Sequence, residues 1–138
     1  PLADALDAVG ISLIRLATPT TDDARLPVVV RRTSGFVYYV SVAGVTGVKE
    51  ADAAAVAPHV ERVRRASGLP LAVGFGIKTP ERAKQVAQVA DAVVVGSALV
   101  DEVAEAVEMN EDVTVRVLSK VQSLAKAVRL ARTSQTAV

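Results

Sequence analysis

The sequence holds 138 residues, 51% of them apolar, 22% charged and 3% aromatic, with a formal net charge of +1 and no cysteine. A chain near 150 residues buries about 68–70% of the surface its unfolded form exposes, so residues 1–138 are expected to form a single domain with a real core, and intrinsic disorder is excluded. Without cysteine there are no disulfides, no thiol catalysis and no thiolate metal site, and the lone histidine, His59, gives no basis for zinc, so no metal is expected.

The richest apolar run, residues 90–100, contains Asp91 and falls short of the ~18–20 uncharged residues of a membrane-spanning helix. A soluble, cytoplasmic protein with no membrane partner is therefore expected. The chain begins at Pro1, and no signal peptide and a fragment of a longer chain are expected. Charge is unevenly placed. Residues 1–112 carry 11 basic and 15 acidic side chains, whereas residues 113–138 carry five basic side chains and no acid. That basic tail has no aromatic residue to stack on bases, so nucleic acid is not expected as a partner.

In chain order, a short helix over residues 2–9, stopped by Gly10, precedes a first apolar run at 11–17. Thr21-Asp22-Asp23 opens a helix over 21–33, in which Pro27 forces a kink or a late start. A second run, 35–41, leads to a helix over 50–66 whose stripe is Ala54, Val56, Val60 and Val63. A third run, 69–75, is followed by Thr79-Pro80-Glu81-Arg82, with threonine at the N-cap and proline at the first helical position. The fourth run, 92–96, is continuously apolar, as suits a parallel strand covered on both faces. A helix over 98–107, a turn at residues 110–112 and a long helix over 113–131 complete the order. In that last helix Val113, Val117, Val121, Leu124 and Val128 share one face, with Arg116, Lys120, Lys126 and Arg129 elsewhere, and it should pack on the outside of the fold.

Four alternating βα units imply a parallel sheet with right-handed crossovers. Two closures are open: a doubly wound sheet, or half of a (β/α)8 barrel, which needs about 250 residues when whole. In the half-barrel, the first and fourth strands are the edges, since a full barrel would pair each with a neighbour.

Three glycine-containing turns follow three successive strands: residues 43–47, residues 74–76 with Gly76, and Gly96-Ser97. Ligands of parallel α/β folds sit at the carboxyl ends of strands. Glycine there lets the backbone approach a phosphate, and the following helix start supplies N–H donors and a positive dipole end. Ser97 adds a hydroxyl donor. All four aromatics, Phe36, Tyr38, Tyr39 and Phe75, lie on the two central strands, with Phe36 and Tyr38 on one face and Tyr39 on the other. No carboxylate follows a strand directly except Asp22 and Asp23, which read as helix capping, so no general acid–base pair is visible. His59 reads as a surface helix residue far from the turns.

SVAGVTG at 41–47, GFGI at 74–77 and GSA at 96–98, together with GISLIRLATPTT at 10–21, resemble the second half of the tryptophan synthase alpha subunit over about residues 5–107. The resemblance implies an α/β fold of the (β/α)8 TIM-barrel family, here four parallel βα units plus a carboxyl-terminal helix. It implies a lyase that splits indole-3-glycerol phosphate into indole and glyceraldehyde 3-phosphate and passes indole to a beta subunit, which holds the pyridoxal phosphate; no cofactor is expected in this chain. By the same resemblance, Gly47, Gly76, Gly96 and Ser97 match phosphate-binding positions. Thr46, Phe75 and Val94 line the substrate site, and Tyr38 matches a tyrosine bonded to a catalytic aspartate. The family's catalytic glutamate and aspartate follow its second strand and have no counterpart here. Val42 stands where some members have arginine, and residues 28–32 are more basic than the family pattern. The residues alone leave two alternatives: a non-catalytic phosphate-binding half-barrel, and another phosphate-sugar isomerase or aldolase barrel.

Overall fold

The computed structural model describes residues 2–41, 53–74 and 76–133. Four strands, β1 (Arg15–Ala17), β2 (Val37–Val40), β3 (Leu71–Gly74) and β4 (Ala92–Val94), form one sheet in the order β1-β2-β3-β4. Every pairing is parallel, and with this order β1 and β4 are the edges, as in a half-barrel. The helices are α1 (Leu2–Ala8), α2 (Leu26–Val30), α3 (Ala53–Ser67), α4 (Pro80–Ala87), α5 (Ser97–Glu108) and α6 (Val113–Thr133).

Where the sequence carries a strong cap, the boundary follows it. The Thr79 hydroxyl accepts from the Arg82 N–H at 3.2 Å and Pro80 opens α4. Asn110 takes a positive φ of 54° after α5, and the Asp112 carboxylate accepts the Val115 N–H at 3.0 Å to start α6. The helix expected over 21–33 is much shorter. The Asp22 carboxylate accepts the Arg25 N–H at 2.7 Å, so 22–25 is a turn. Proline is best tolerated in a helix's first turn, and Pro27 makes α2 start late, at Leu26.

The register divides the sheet into two unlike faces. Ala17, Tyr39 and Val73 align on the face covered by helices and are at most 1% exposed. With Leu26, Val56, Val60, Val63, Val86 and Leu124 they form the core, which confirms the α3 stripe apart from Ala54, whose side chain lies outside the described residues. On the other face, Leu16, Tyr38 and Ala72 align, and so do Val40, Gly74 and Val94. Among the described residues no helix lies over that face: Leu16 is 55% exposed and Val94 37%. A sheet with one face packed and the other open is what half of a barrel leaves.

Helix α6 packs along α4 and α5, outside the sheet, and Leu124 reaches the core. Its expected apolar face holds except at Val121, which is 40% exposed. The basic residues depart from expectation. Arg116 and Lys120 lie half-buried against α5, where Arg116 pairs with Glu102 at 2.8 Å, Glu111 at 2.9 Å and Glu105, and Lys120 pairs with Glu102 at 3.2 Å. The charges of Arg116 and Lys120 are thus tied to the acids of α5 and of the α5–α6 turn, which sequence counting assigned to a different region.

Two features of the sheet give expected outcomes. A methyl group on Gly74 would sit 2.5 Å from the Tyr38 hydroxyl and 3.0 Å from Val94 Cβ. Overpacking of this kind costs about 1–3 kcal/mol, so Gly74→Ala should lower the urea midpoint and move Tyr38; an unchanged midpoint would mean that the open face yields freely. At the start of β4, the Asp91 carboxylate accepts the Leu71 N–H at 2.8 Å and pairs with Arg64 at 3.1 Å. Burial pushes this carboxyl up, but the Leu71 N–H and the Arg64 guanidinium outweigh it and hold it below the usual range. A carboxyl depressed in the folded state stabilises above its unfolded value of about 3.9 and loses that contribution as pH falls through the folded value. The stability gap between the native chain and Asp91→Asn should therefore be widest near neutrality and close below about pH 4, as read by thermal melts across pH.

Candidate functional site at the carboxyl ends of β3 and β4

Gly76 and Gly96 follow neighbouring parallel strands, so the two turns lie side by side at one end of the sheet. Gly76 has φ +68°, a conformation that L side chains rarely adopt. Gly96 is the N-cap of α5 at φ −120°, and Ser97 is that helix's first residue. The first N–H groups of a helix have no acceptor within it, and they carry its positive dipole end. The Leu99 and Val100 N–H groups turn back to the Gly96 carbonyl at 2.9 and 3.3 Å, which closes the first turn behind the glycine. Gly96 and Ser97 are both exposed, so this end of α5 presents donors outward. A substituent on Gly96 would meet no atom within 4 Å, so the glycine there answers to nothing inside the chain.

Tyr38 and Val94 project from the open face of the sheet, with the Tyr38 ring over Gly74. The sequence thus places Tyr38, Gly76, Val94, Gly96 and Ser97 at or beside one end of the open face. Thr46, Gly47 and Phe75, with Val42, lie outside the described residues. The open-face positions of the four strands are Leu16, Tyr38, Val40, Ala72, Gly74, Ala92 and Val94, none of them a carboxylate.

Three ties at this end were not evident from spacing. The Ser41 N–H and hydroxyl both donate to the Gly74 carbonyl at 3.1 Å, latching the ends of β2 and β3. Lys78 and Asp101 pair at 3.0 Å, joining the Gly76 turn to α5. Arg62 of α3 donates to the Thr21 carbonyl at 2.7 Å and to Asp23 at 2.6 Å, fixing the loop after β1. Neither aspartate caps α2 as expected: Asp22 closes the 22–25 turn ahead of the helix, whose N-cap is Arg25, and Asp23 is an ion-pair partner. None of these links leaves a carboxylate free on the open face for proton transfer. Sequence could have flagged Lys78 only as a charge two residues beyond a glycine turn.

His59 departs from the sequence reading. It is half-buried, and its ring stacks on that of Tyr39, centroids 6.3 Å apart and 15° between planes, on the helix side of the sheet. The Tyr39 hydroxyl is buried, and among the described residues it has no hydrogen-bond partner. Burial pushes that phenol up, with the nearby Arg62 charge acting the other way.

A sequence profile described as tryptophan synthase alpha chain matches residues 1–129. The chain belongs to the tryptophan synthase alpha chain family. The tryptophan synthase alpha chain of Phenylobacterium zucineum is 90% identical over all 138 residues, which make up 50% of that protein. That of Caulobacter vibrioides is 75% identical over 132 residues, 96% of this chain and 48% of the relative. The chain therefore spans about half the length of the curated relatives it matches.

Solved structures agree. The tryptophan synthase alpha chain of Legionella pneumophila superposes with a TM-score of 0.79 at 35% identity, covering 93% of this chain and 46% of that one. A tryptophan synthase structure from M. tuberculosis gives 0.74 at 32% identity, covering 92% and 44%. The four parallel βα units are thus half of the family's TIM barrel, and the open face of the sheet is the barrel's inner wall. Among the described residues no group of histidines and acids is arranged to hold a metal ion, and no helix is long and apolar enough to cross a membrane.

Proposed function

We propose that this chain supplies the phosphate-holding half of the active site of a tryptophan synthase alpha subunit, which cleaves indole-3-glycerol phosphate to indole and glyceraldehyde 3-phosphate. The observation that carries the reading is the side-by-side arrangement of Gly76, Gly96 and Ser97 at the carboxyl ends of two adjacent parallel strands, where barrels of this class grip phosphate. Gly47 completes the grip in this reading, and Thr46, Phe75 and Val94 line the substrate. Tyr38, on the open face, orients the catalytic aspartate rather than exchanging protons itself.

Comparing substrate with products, the bond from the indole ring to the glycerol carbon breaks. The ring gains a proton, and the adjacent hydroxyl loses one as it becomes the aldehyde. Both transfers need ionisable groups, and the open-face positions of the four strands hold none but Tyr38. In this reading the glutamate and aspartate of the family come from the half of the relatives' length that this chain does not span. The subunit works in the cytoplasm without a cofactor of its own and hands indole to a beta subunit that holds pyridoxal phosphate. Residues 1–138 act as one domain.

The test is complementation. Indole should be released when this chain is mixed with the half of a relative that carries the two carboxylates, and from neither half alone. Phosphate binding without release of indole from the mixture would instead mark a non-catalytic phosphate-binding half-barrel.

A further inference from the structure

The ion pair between Lys78 and Asp101 sits between the two glycine turns. Ile77, 3% exposed, belongs to the core, and Thr79 caps α4, so the backbone of Lys78 is fixed on both sides and its stem alone is free to move. The Lys78 ammonium meets the Asp101 carboxylate at 3.0 Å. Asp101 lies four residues along α5 from Ser97, which puts the two on one helix face a single turn apart. The Cα–Cβ bonds of a helix tilt toward its amino end, so the carboxylate, with the ammonium on it, leans toward Ser97 and the Gly96 turn.

We propose that Lys78 is the specificity-determining cation of this site: it adds a full positive charge to the backbone donors and selects a doubly charged phosphate, and Asp101 holds it in place until the ligand arrives. The inference rests on the phosphate reading of the glycine turns and goes beyond it, because glycine turns and a helix start offer only partial charges.

A carboxylate one turn inside the amino end of a helix suits the helix dipole, yet it repels an anion bound at that end. Asp101 alone would therefore weaken the grip, and the cation beside it reverses the sign. The other cations of the α4 start and of the α5–α6 contact are turned elsewhere. Arg82, in the first turn of α4 beside Glu81, donates to Gln85 at 3.1 Å. Arg116 and Lys120 hold Glu102, the residue after Asp101, at 2.8 and 3.2 Å from the side of α6. The Lys78–Asp101 pair is 60% and 51% exposed. Ion pairs this open contribute little to stability, so the ammonium can pass from the carboxylate to a phosphate at small cost.

The experiment is calorimetric titration with methyl phosphate and methyl sulfate, probes of one shape that carry two charges and one at about pH 8, since the second ionisation of a phosphate monoester falls at about pH 6. The native chain should bind methyl phosphate the more tightly. Lys78→Met should weaken methyl phosphate about tenfold, equivalent to about 1.4 kcal/mol, and methyl sulfate by less, so the preference narrows; Lys78→Arg should restore most of it. Asp101→Asn, which frees the ammonium, should tighten methyl phosphate several-fold. That opposite sign separates charge from structure, because a mere strut between the turns would make both variants lose affinity alike. Lys126→Met, at an exposed position on α6, should change nothing. Equal losses in Lys78→Met and Asp101→Asn, or an unchanged preference in Lys78→Met, would overturn the proposal while binding by the native chain upholds the phosphate reading. No saturable binding of methyl phosphate by the native chain would overturn both.

Discussion

Tyr39→Ala is expected to remove about 3–5 kcal/mol of stability, the range for deleting a large aromatic side chain from a packed core. Tyr39 is 1% exposed, is the largest fully buried side chain described, and sits among the strand and helix residues of the core. Its loss would also unstack His59. Domains of this kind carry about 5–15 kcal/mol in total, so the variant should lie near the edge of folding. Tyr39→Phe is the informative partner. The hydroxyl is buried and has no hydrogen-bond partner among the described residues, and such a group costs about 1–3 kcal/mol to bury. Removing it should leave stability unchanged or raise it. Urea unfolding of both variants checks this; a phenylalanine variant as unstable as the alanine one would show that the hydroxyl has a stabilising role.

On indole-3-glycerol phosphate, the chain alone should turn over at least ~10²–10⁴-fold more slowly than a whole alpha subunit, the share that general acid–base catalysis supplies. Positioning by the phosphate grip cannot make up the difference, because the only ionisable side chain at the described open-face positions is Tyr38, which in this reading orients the aspartate and carries no proton. Steady-state release of indole at equal concentrations measures the ratio. Comparable rates would mean that a residue of this chain does the proton transfer, and Asp22, Asp23 and Asp101 would be the first to substitute.

The architecture was legible because its signals are local and agree with one another. Continuous apolar runs at 69–75 and 92–96, a threonine–proline helix start at Thr79, and a glycine after each of the last two strands all point to parallel βα units. What was not legible depends on distant partners. Asp23 looks like a cap until Arg62, 39 residues away, takes it. His59 looks like a surface residue until Tyr39 arrives beneath it. Arg116 and Lys120 look like free tail charges until α5 brings Glu102 against them. Arg15 reads as one polar residue in an apolar strand, and only the register shows that it aligns with the buried Val37 and Leu71. The glycine turns illustrate the same limit from the other side. Sequence marks Gly76 and Gly96 alike, but Gly76 is required by its own backbone at φ +68°, whereas Gly96, at φ −120° with open space around it, is free of any such demand.

That difference makes Gly96 the place to test the central claim, that this end of the sheet holds phosphate. Gly96→Ala should fold without strain, so a loss of anion affinity would report contact with the ligand and nothing else. Ser97→Ala removes one hydroxyl donor, about 0.5–1.5 kcal/mol and up to ~3 with a charged acceptor, and should weaken binding several-fold. Calorimetric titration of glycerol phosphate into the native chain, Gly96→Ala, Ser97→Ala and His59→Ala is the direct measurement. The account predicts weak saturable binding, with Gly96→Ala the most impaired, Ser97→Ala intermediate and His59→Ala native-like; equal affinity in all four would mean that the glycine turns are only tight turns.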